Sequence, residues 1–380
     1  MPRLVPCLLA LVLLLHGSLA AALETRRIPP ALDPVINRLL TMVGANPSTD
    51  LDPAVVAPLV EFVAARKNPD TLYQPEALEQ TTTAYYQFDL AIGMDRLLAY
   101  AYNPDIPSQM FSPSSLRTAR RLPDASGREV TWAWREATPR PQIVQLAEHE
   151  EITPDLFTGA YYGYDIDRTL ILFSDGDGRR IFLSLGRQRD QSEVGRKGAV
   201  LGDDHAWDFL YSDATGLTSR GLGWVKSYIY RSLSLTVFVQ EPGAQGVRCG
   251  SFKWLNAGWA GINMVEPKHI HRGMERYATD LRRLIENPRL PAPEKMAADL
   301  KEISEVDDRR LRDLMDSYMQ TISRQYAAEA VLSRSEFAAL FDETTEVMDR
   351  TQMLAVLELE YLKTLLGRPQ RLPLKLAAVR

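Results

Sequence analysis

Cysteine is almost absent from this chain, whose 380 residues contain only Cys7 and Cys249. Cys7 lies in an N-terminal apolar stretch that we expect to be removed, which leaves Cys249 alone and excludes an intramolecular disulfide. No cysteine pair is present for a thiolate metal site either. We interpret Cys249 as a buried structural thiol in a strand rather than as a nucleophile.

The sequence also lacks the signatures of several enzyme classes. The glycine-rich stretch 216–223 has no Gly-Lys-Ser/Thr, and neither Gly-x-Ser-x-Gly nor His-Glu-x-x-His occurs. The segment 174–178 begins like a calcium loop, but Arg179 and Gly186 occupy two positions that require ligands, so a hairpin turn is expected. The sequence therefore predicts no cofactor and no metal, and it identifies no reaction.

The chain has no excess of positive charge, since 44 Lys and Arg against 49 Asp and Glu give a formal net charge of −5. Such a chain has no basic field for a nucleic-acid partner. The exception is a basic tail at residues 368–380, in which Arg368, Arg371, Lys375 and Arg380 occur without an acid. This tail could touch an anionic membrane or a partner, and the alternative is a frayed terminus.

Long apolar runs are missing except at the N-terminus. A short cationic start is followed by an apolar core from Leu4 to Leu15 and then by small residues up to Ala22. This order is typical of a signal peptide at residues 1–22, with an uncleaved membrane anchor as the alternative. We therefore expect an exported, periplasmic or extracellular protein with no transmembrane segment after cleavage.

The periodicity divides the rest of the chain into three parts. Residues 23–111 read as a helical N-terminal segment with helices at 34–43, 53–66 and 74–100. Residues 112–290 read as an α+β domain, and its strands are expected at 129–135, 169–173, 180–185, 225–239 and 247–254. Residues 291–367 read as a helical C-terminal segment, where Ser333 and Glu336 resemble a capping box.

The best-marked helix is predicted at residues 267–287. Pro267 suits a first helical position, apolar residues recur with a helical period as far as Ile285, and Pro288 ends the pattern. The preceding strand 225–239 is apolar at its odd positions except Ser227 and Arg231, so we expect this helix to cover the apolar face of an antiparallel sheet. The fold class is therefore α+β, and a long sheet followed by one long helix is similar in element order to the START-like helix-grip arrangement.

Two groups of polar residues are candidates for catalysis. Asp203, Asp204 and His205 lie in a predicted loop, where carboxylates beside an imidazole could orient a base, although turn chemistry also explains both aspartates. Glu266 and His269 lie at the start of the predicted helix and could form an acid/base pair. His269 and His271 are two positions apart on a helix, a spacing that sends their rings to different faces.

Aromatic residues supply the candidate ligand-binding set. It consists of Trp132, Trp134, Tyr228, Tyr230, Phe238, Trp254 and Trp259. Together they predict a non-catalytic binding protein for an apolar or amphipathic ligand enclosed by the sheet and the helix. An exported hydrolase or lyase using the Asp/His residues, and a structural or interaction protein of the cell envelope, are the two alternatives.

Overall fold

The computed structural model of the chain describes residues 24–69, 71–155, 159–219, 223–326 and 348–372. The predicted signal peptide and the predicted cap at Ser333 and Glu336 lie outside these ranges. None of the helices within them combines the length and the apolar character that crossing a bilayer requires.

The strands are short at the chain's beginning and longest near the middle of the sheet. They are β1 Glu24–Arg27, β2 Thr71–Gln74, β3 Thr82–Leu90, β4 Leu116–Leu122, β5 Gln142–Ile152, β6 Ala160–Tyr161, β7 Gly163–Ser174, β8 Arg180–Gln188, β9 Arg196–Leu201, β10 Asp208–Thr215, β11 Leu217–Ser219, β12 Gly223–Val225, β13 Tyr228–Gln240, β14 Val247–Trp259 and β15 Ile262–Asn263. The central sheet has the order β1-β2-β3-β14-β13-β8-β7-β5-β4, with β15 paired to β14. A three-stranded sheet β10-β9-β6 and the pair β11-β12 stand apart from it.

The helices fall before and after these strands. They are α1 Asp33–Leu40, α2 Pro53–Ala64, α3 Met94–Tyr100, α4 Pro267–Ile285, α5 Pro293–Ser304, α6 Asp308–Tyr326 and α7 Arg350–Leu366. Local chemistry explains their ends: the Asp52 carboxylate accepts the Ala54 N–H at 2.9 Å, and Gly367 ends α7 with a φ of 66°. The α+β class expected from the sequence is confirmed.

The central sheet carries a helical layer on each face. The odd residues Leu233, Leu235 and Val237 of β13 are buried in one core with side chains of α1 and α2. The even residues of β13 face the other way, toward α4 and the helices that follow it. The expectation that α4 covers the apolar face of this strand was therefore wrong, because the N-terminal helices cover that face.

Helix α4 packs against β2, β3 and β14 through the predicted stripe. Ile270, Met274 and Leu281 are buried on this stripe, whereas Arg282 is exposed. The predicted helix at 267–287 is thus confirmed to within two residues at its end. One face of α4 is buried and the opposite face is exposed, as expected for a helix that lies on a sheet.

Two local predictions were wrong. Thr82–Leu90, expected as part of a helix, is strand β3 and pairs antiparallel with β14, with Phe88 opposite Cys249. Threonine and aromatic side chains are dense there and favour a pleated backbone over a helix. Residues 129–135 join no ladder of the described sheets. Instead, the indoles of Trp132 and Trp134 both donate to the Tyr102 carbonyl, at 3.1 and 2.9 Å.

Candidate functional site

A cavity of about 1280 Å³ lies between the central sheet and the layer formed by α4, α5 and the segment 101–121. This volume exceeds the roughly 300–1,000 Å³ that is common for small-molecule sites. The sheet forms its floor through strands β5, β7, β8, β13 and β14. The cavity therefore occupies the place where a helix laid on a sheet would otherwise pack directly.

The floor has a band of small hydroxyl side chains. Thr236 on β13 lies directly opposite Ser184 on β8 and Ser251 on β14, and its hydroxyl is 3.3 Å from that of Ser251. Ser234 lies two residues before Thr236 on the same face of β13, opposite Gly186. Because directly opposed residues share a face of the sheet, these small groups are adjacent. They leave open the volume that leucine or phenylalanine would fill.

A charged group borders this band on β5 and β7. The Arg168 guanidinium forms ion pairs with the buried carboxylates of Glu148 and Glu150. Burial opposes the charge of Arg168, but the two carboxylates, Glu150 foremost, outweigh burial and raise its pKa. Arg168, Glu148 and Glu150 thus form one ion-pair cluster at this edge of the floor.

Lys253 borders the same band on β14. Its Nζ donates to the Ser232 hydroxyl at 2.8 Å, and its side chain contributes to the cavity lining. Burial lowers the pKa of Lys253 to about 8, while Glu150 acts to raise this pKa and Arg168 to lower it further. An ammonium in this position is therefore close to losing its proton near neutral pH.

The roof of the cavity carries both apolar and cationic side chains, and the cationic ones are Arg272, Arg276 and Lys301. Ile270 and Met274 on α4 and Leu300 on α5 face the sheet across the cavity. Tyr277 adds a neutral polar group, because its hydroxyl is hydrogen-bonded to that of Tyr102. The site thus places hydroxyl and charged groups beside apolar side chains, which is a mixture that an amphipathic molecule matches.

One wall contains a carboxyl group from the C-terminal segment. Glu358 on α7 lines the cavity and accepts a hydrogen bond from Gln109 Nε2 at 2.8 Å. Its side chain is buried, and burial raises the pKa of Glu358 to about 7. The wall therefore holds a group that changes charge in the neutral range.

The predicted loop residues Asp203, Asp204 and His205 do not line the cavity. Asp203 caps a short helical turn by accepting the His205 N–H at 2.9 Å. Asp204 accepts two hydrogen bonds from Arg276 on α4, at 2.7 and 2.5 Å. The two aspartates thus serve turn formation and the attachment of the loop to α4.

The second predicted pair lies at the N-terminus of α4. Glu266 and His269 cap the helix reciprocally, and the His269 ring accepts the Glu266 N–H at 3.2 Å. Lys268 also lies 2.5 Å from the Glu266 carboxylate and lowers its pKa. Only His269 of this pair lines the cavity. His269 precedes Arg276, the residue that binds Asp204, by seven positions, which is about 10 Å along the helix axis. The loop group of Asp203, Asp204 and His205 and the pair of Glu266 and His269 therefore do not form one site.

Of the seven predicted aromatic residues, Trp132 alone lines the cavity. Trp254 faces the opposite side of the sheet, where its indole donates to the Glu76 carbonyl at 2.8 Å. Phe238 and Trp134 pack on Phe182 outside the cavity lining, at ring distances of 5.9 and 5.3 Å.

The remaining three aromatic residues lie at the open end of the β13–β14 hairpin, away from its turn. Tyr228 and Tyr230 have ring centroids 6.1 Å apart, and Trp259 pairs with Ile262 of β15. The prediction relied on aromatic content, whereas a band of hydroxyl groups crosses the floor. The signal for them was present in the alternation of serine and leucine along β13.

The first residues of the basic tail are bound within the chain. Arg368 lies over the Trp207 ring at 3.8 Å, and Arg371 pairs with Asp208 at 2.6 Å. Asp208 is fully buried and also contacts Lys363 at 2.6 Å. Burial acts to raise the pKa of Asp208, but these two cations outweigh it and lower the pKa. Two of the four tail cations are thus engaged, and residues 373–380 lie outside the described chain.

Within the described ranges, no three His, Cys, Asp or Glu side chains are grouped so that they could hold a metal ion. No protein-family model matches the chain, and no curated protein matches it. Among solved structures, the human StarD13 (DLC2) lipid transfer and protein localization domain is similar, with a TM-score of 0.26 and 10% sequence identity. That match covers 63% of this chain and 100% of the StarD13 domain.

Proposed function

We propose that the chain is a binding protein for an amphipathic ligand, which it holds between the central sheet and α4. The observation that carries this proposal is the cavity of about 1280 Å³, which has a band of hydroxyl groups on its floor and Ile270, Met274 and Leu300 on its roof. Such a cavity buries the apolar part of a ligand and offers hydrogen bonds to its polar part.

Sequence features support the location of this activity. The N-terminal stretch has the order of a signal peptide, so we propose that the protein binds its ligand after export, in the periplasm or outside the cell. N-terminal mass spectrometry of the envelope fraction is expected to give a chain starting after Ala20 or Ala22. Recovery of intact Met1 in the membrane pellet would contradict export of a cleaved form.

Filling the polar band tests the binding proposal. Ser234 is partly exposed and lines the cavity, so Ser234→Leu places a larger apolar group where the ligand would lie. The matched control is Ser317→Leu, the same change on the exposed face of α6. Binding of N-phenyl-1-naphthylamine, an uncharged dye, is measured by fluorescence and then reversed with dodecanoic acid or dodecanol.

We expect the wild type and Ser317→Leu to bind the dye alike and to release it when either amphiphile is added. Ser234→Leu should weaken dye binding at least about tenfold, which corresponds to roughly 1.4 kcal/mol. Near-ultraviolet circular dichroism checks that all three proteins are folded. Equal binding by the two leucine variants, or no binding by the wild type, would contradict a ligand site in this cavity.

A further inference from the structure

Lys253 and Arg168 lie on one line across the cavity floor. Arg168 on β7 is opposite Gly186 on β8, Gly186 is opposite Ser234 on β13, and Ser234 is opposite Lys253 on β14. Neighbouring strands are about 4.8 Å apart, so the two cationic residues are separated by three strand spacings. The residues between them are a glycine and a serine, so the two long side chains border a space floored by small groups.

The partners of the two cations differ in kind. Arg168 is matched with two carboxylates, Glu148 through Nε and Glu150 through Nη2. In the described part of the chain, the side-chain hydrogen bond made by Lys253 Nζ goes to the neutral Ser232 hydroxyl. An ammonium has three N–H donors, so this bond uses one of them. Glu150 is near enough to favour the charged ammonium, but its carboxylate is held by Arg168.

A charged donor in a low-dielectric site gains most from an anionic acceptor. A neutral headgroup would satisfy the hydroxyl band but would leave the ammonium with serine as its partner. A carboxylate next to Lys253 would supply an anionic oxygen and could also accept from Ser234 or Ser251, which lie beside Lys253 on the floor. The apolar remainder of the molecule would then lie against Met274 and Leu300 of the roof.

We propose that Lys253 anchors the carboxylate of an acidic single-chain amphiphile. This inference rests on the proposed function and narrows it to one ligand class. It assigns the polar end of the ligand to the floor near Lys253 and its hydrocarbon chain to the space under α4 and α5.

Three variants and three ligands test this assignment. Lys253→Met removes the charge while keeping an unbranched side chain, Lys253→Arg keeps the charge, and Lys226→Met removes an exposed lysine outside the cavity lining. The ligands are dodecanoic acid, dodecanol and acetate, and the dissociation constants are measured at pH 7 by isothermal titration calorimetry. Acetate reports whether the head alone is bound.

We expect the wild type and Lys226→Met to bind the acid at least about tenfold more tightly than the alcohol. Lys253→Met should lose this preference because its affinity for the acid falls while its affinity for the alcohol stays the same. Lys253→Arg should retain most of the preference. Acetate should bind far more weakly than dodecanoic acid, because the chain supplies apolar burial. Equal affinities of the wild type for acid and alcohol, or an unchanged preference in Lys253→Met, would overturn the anchor while leaving amphiphile binding intact. Failure of every protein to bind either amphiphile would refute the proposed function itself.

The pH dependence provides a second readout. The other titratable and charged groups that line the cavity come from three sides. They are Glu148, Glu150, Tyr164 and Arg168 on the floor, His269, Arg272, Arg276, Tyr277 and Lys301 on α4 and α5, and Tyr102, Asp105, Arg120, Arg121, Glu129, Asp155 and Glu358 on the walls. The three tyrosines have raised pKa values and stay neutral. The acid preference of the wild type should therefore decline between pH 7 and pH 10 as Lys253 loses its proton. Lys253→Met should show no matching decline, and a parallel decline in both proteins would contradict the assignment to Lys253.

Discussion

Glu358 offers a stability test of the cavity wall. Burial raises its pKa to about 7 from an ordinary value of 4.5, while the hydrogen bond from Gln109 acts to lower it. A carboxyl group with a raised folded-state pKa favours folding when protonated. Its contribution is fully present below about pH 4.5 and is lost as the pH rises through 7. At 1.36 kcal/mol per pH unit, the difference between the two pKa values corresponds to about 3 kcal/mol.

Glu358→Gln removes this titration but keeps an oxygen that can accept from Gln109. The free energy of unfolding is measured with urea at several pH values from 5 to 8. Relative to the variant, the wild type should lose roughly 2–3 kcal/mol across this range, because part of the effect has already occurred by pH 5. Glu241→Gln, at an exposed position in the β13–β14 turn, controls for the loss of one carboxylate and should follow the wild type. Parallel curves for the wild type and Glu358→Gln would refute the buried environment described for Glu358.

Two further predictions concern the core. Leu281→Ala should cost roughly 2–5 kcal/mol because Leu281 is fully buried on α4, whereas Arg282→Ala should cost under about 1 kcal/mol, as measured by urea midpoints; equal costs would mean that α4 buries a different face. Cys249 is free and fully buried, and burial raises its pKa, so thiol labelling should be slow in the native protein and fast in denaturant; rapid native labelling would contradict its position.

The fold class could be predicted because its strongest elements carry unambiguous periods. Helix α4 has a proline start and a helical stripe, and β13 alternates from Leu233 to Val237, so both were located to within a few residues. The short loop after β7 was also expected as a hairpin turn, and Asp175 indeed accepts the Arg179 N–H at 3.0 Å there. These signals are local, and local signals survive in a single sequence.

The layer assignment could not be predicted from β13 alone. Alternation shows that two faces differ, but it does not say which helix covers which face. Leucine and valine on the odd positions pack on α1 and α2, far back in the sequence, while α4 spans the serine-rich face. A helix that covers serine residues is not expected from sequence alone. The structure accounts for it, because a cavity separates α4 from these serines.

The candidate site was missed for a related reason. Asp203, Asp204 and His205 form a conspicuous cluster in sequence, yet their contacts are explained by a turn and by Arg276. The charged residues of the floor, such as Glu150 and Lys253, come from strands separated by about a hundred residues and meet only in the folded sheet. The spacing of residues along the chain does not show which distant residues become neighbours in the folded sheet.

The location of a bound amphiphile tests the central claim most directly. Crystals grown with 12-bromododecanoic acid would show the bromine by its anomalous scattering and the headgroup in the electron density. We expect the carboxylate beside Lys253 and Ser251, with the bromine under the roof near Met274 or Leu300. Bromine at any other place on the protein, while calorimetry shows saturated binding, would contradict a ligand site between the sheet and α4.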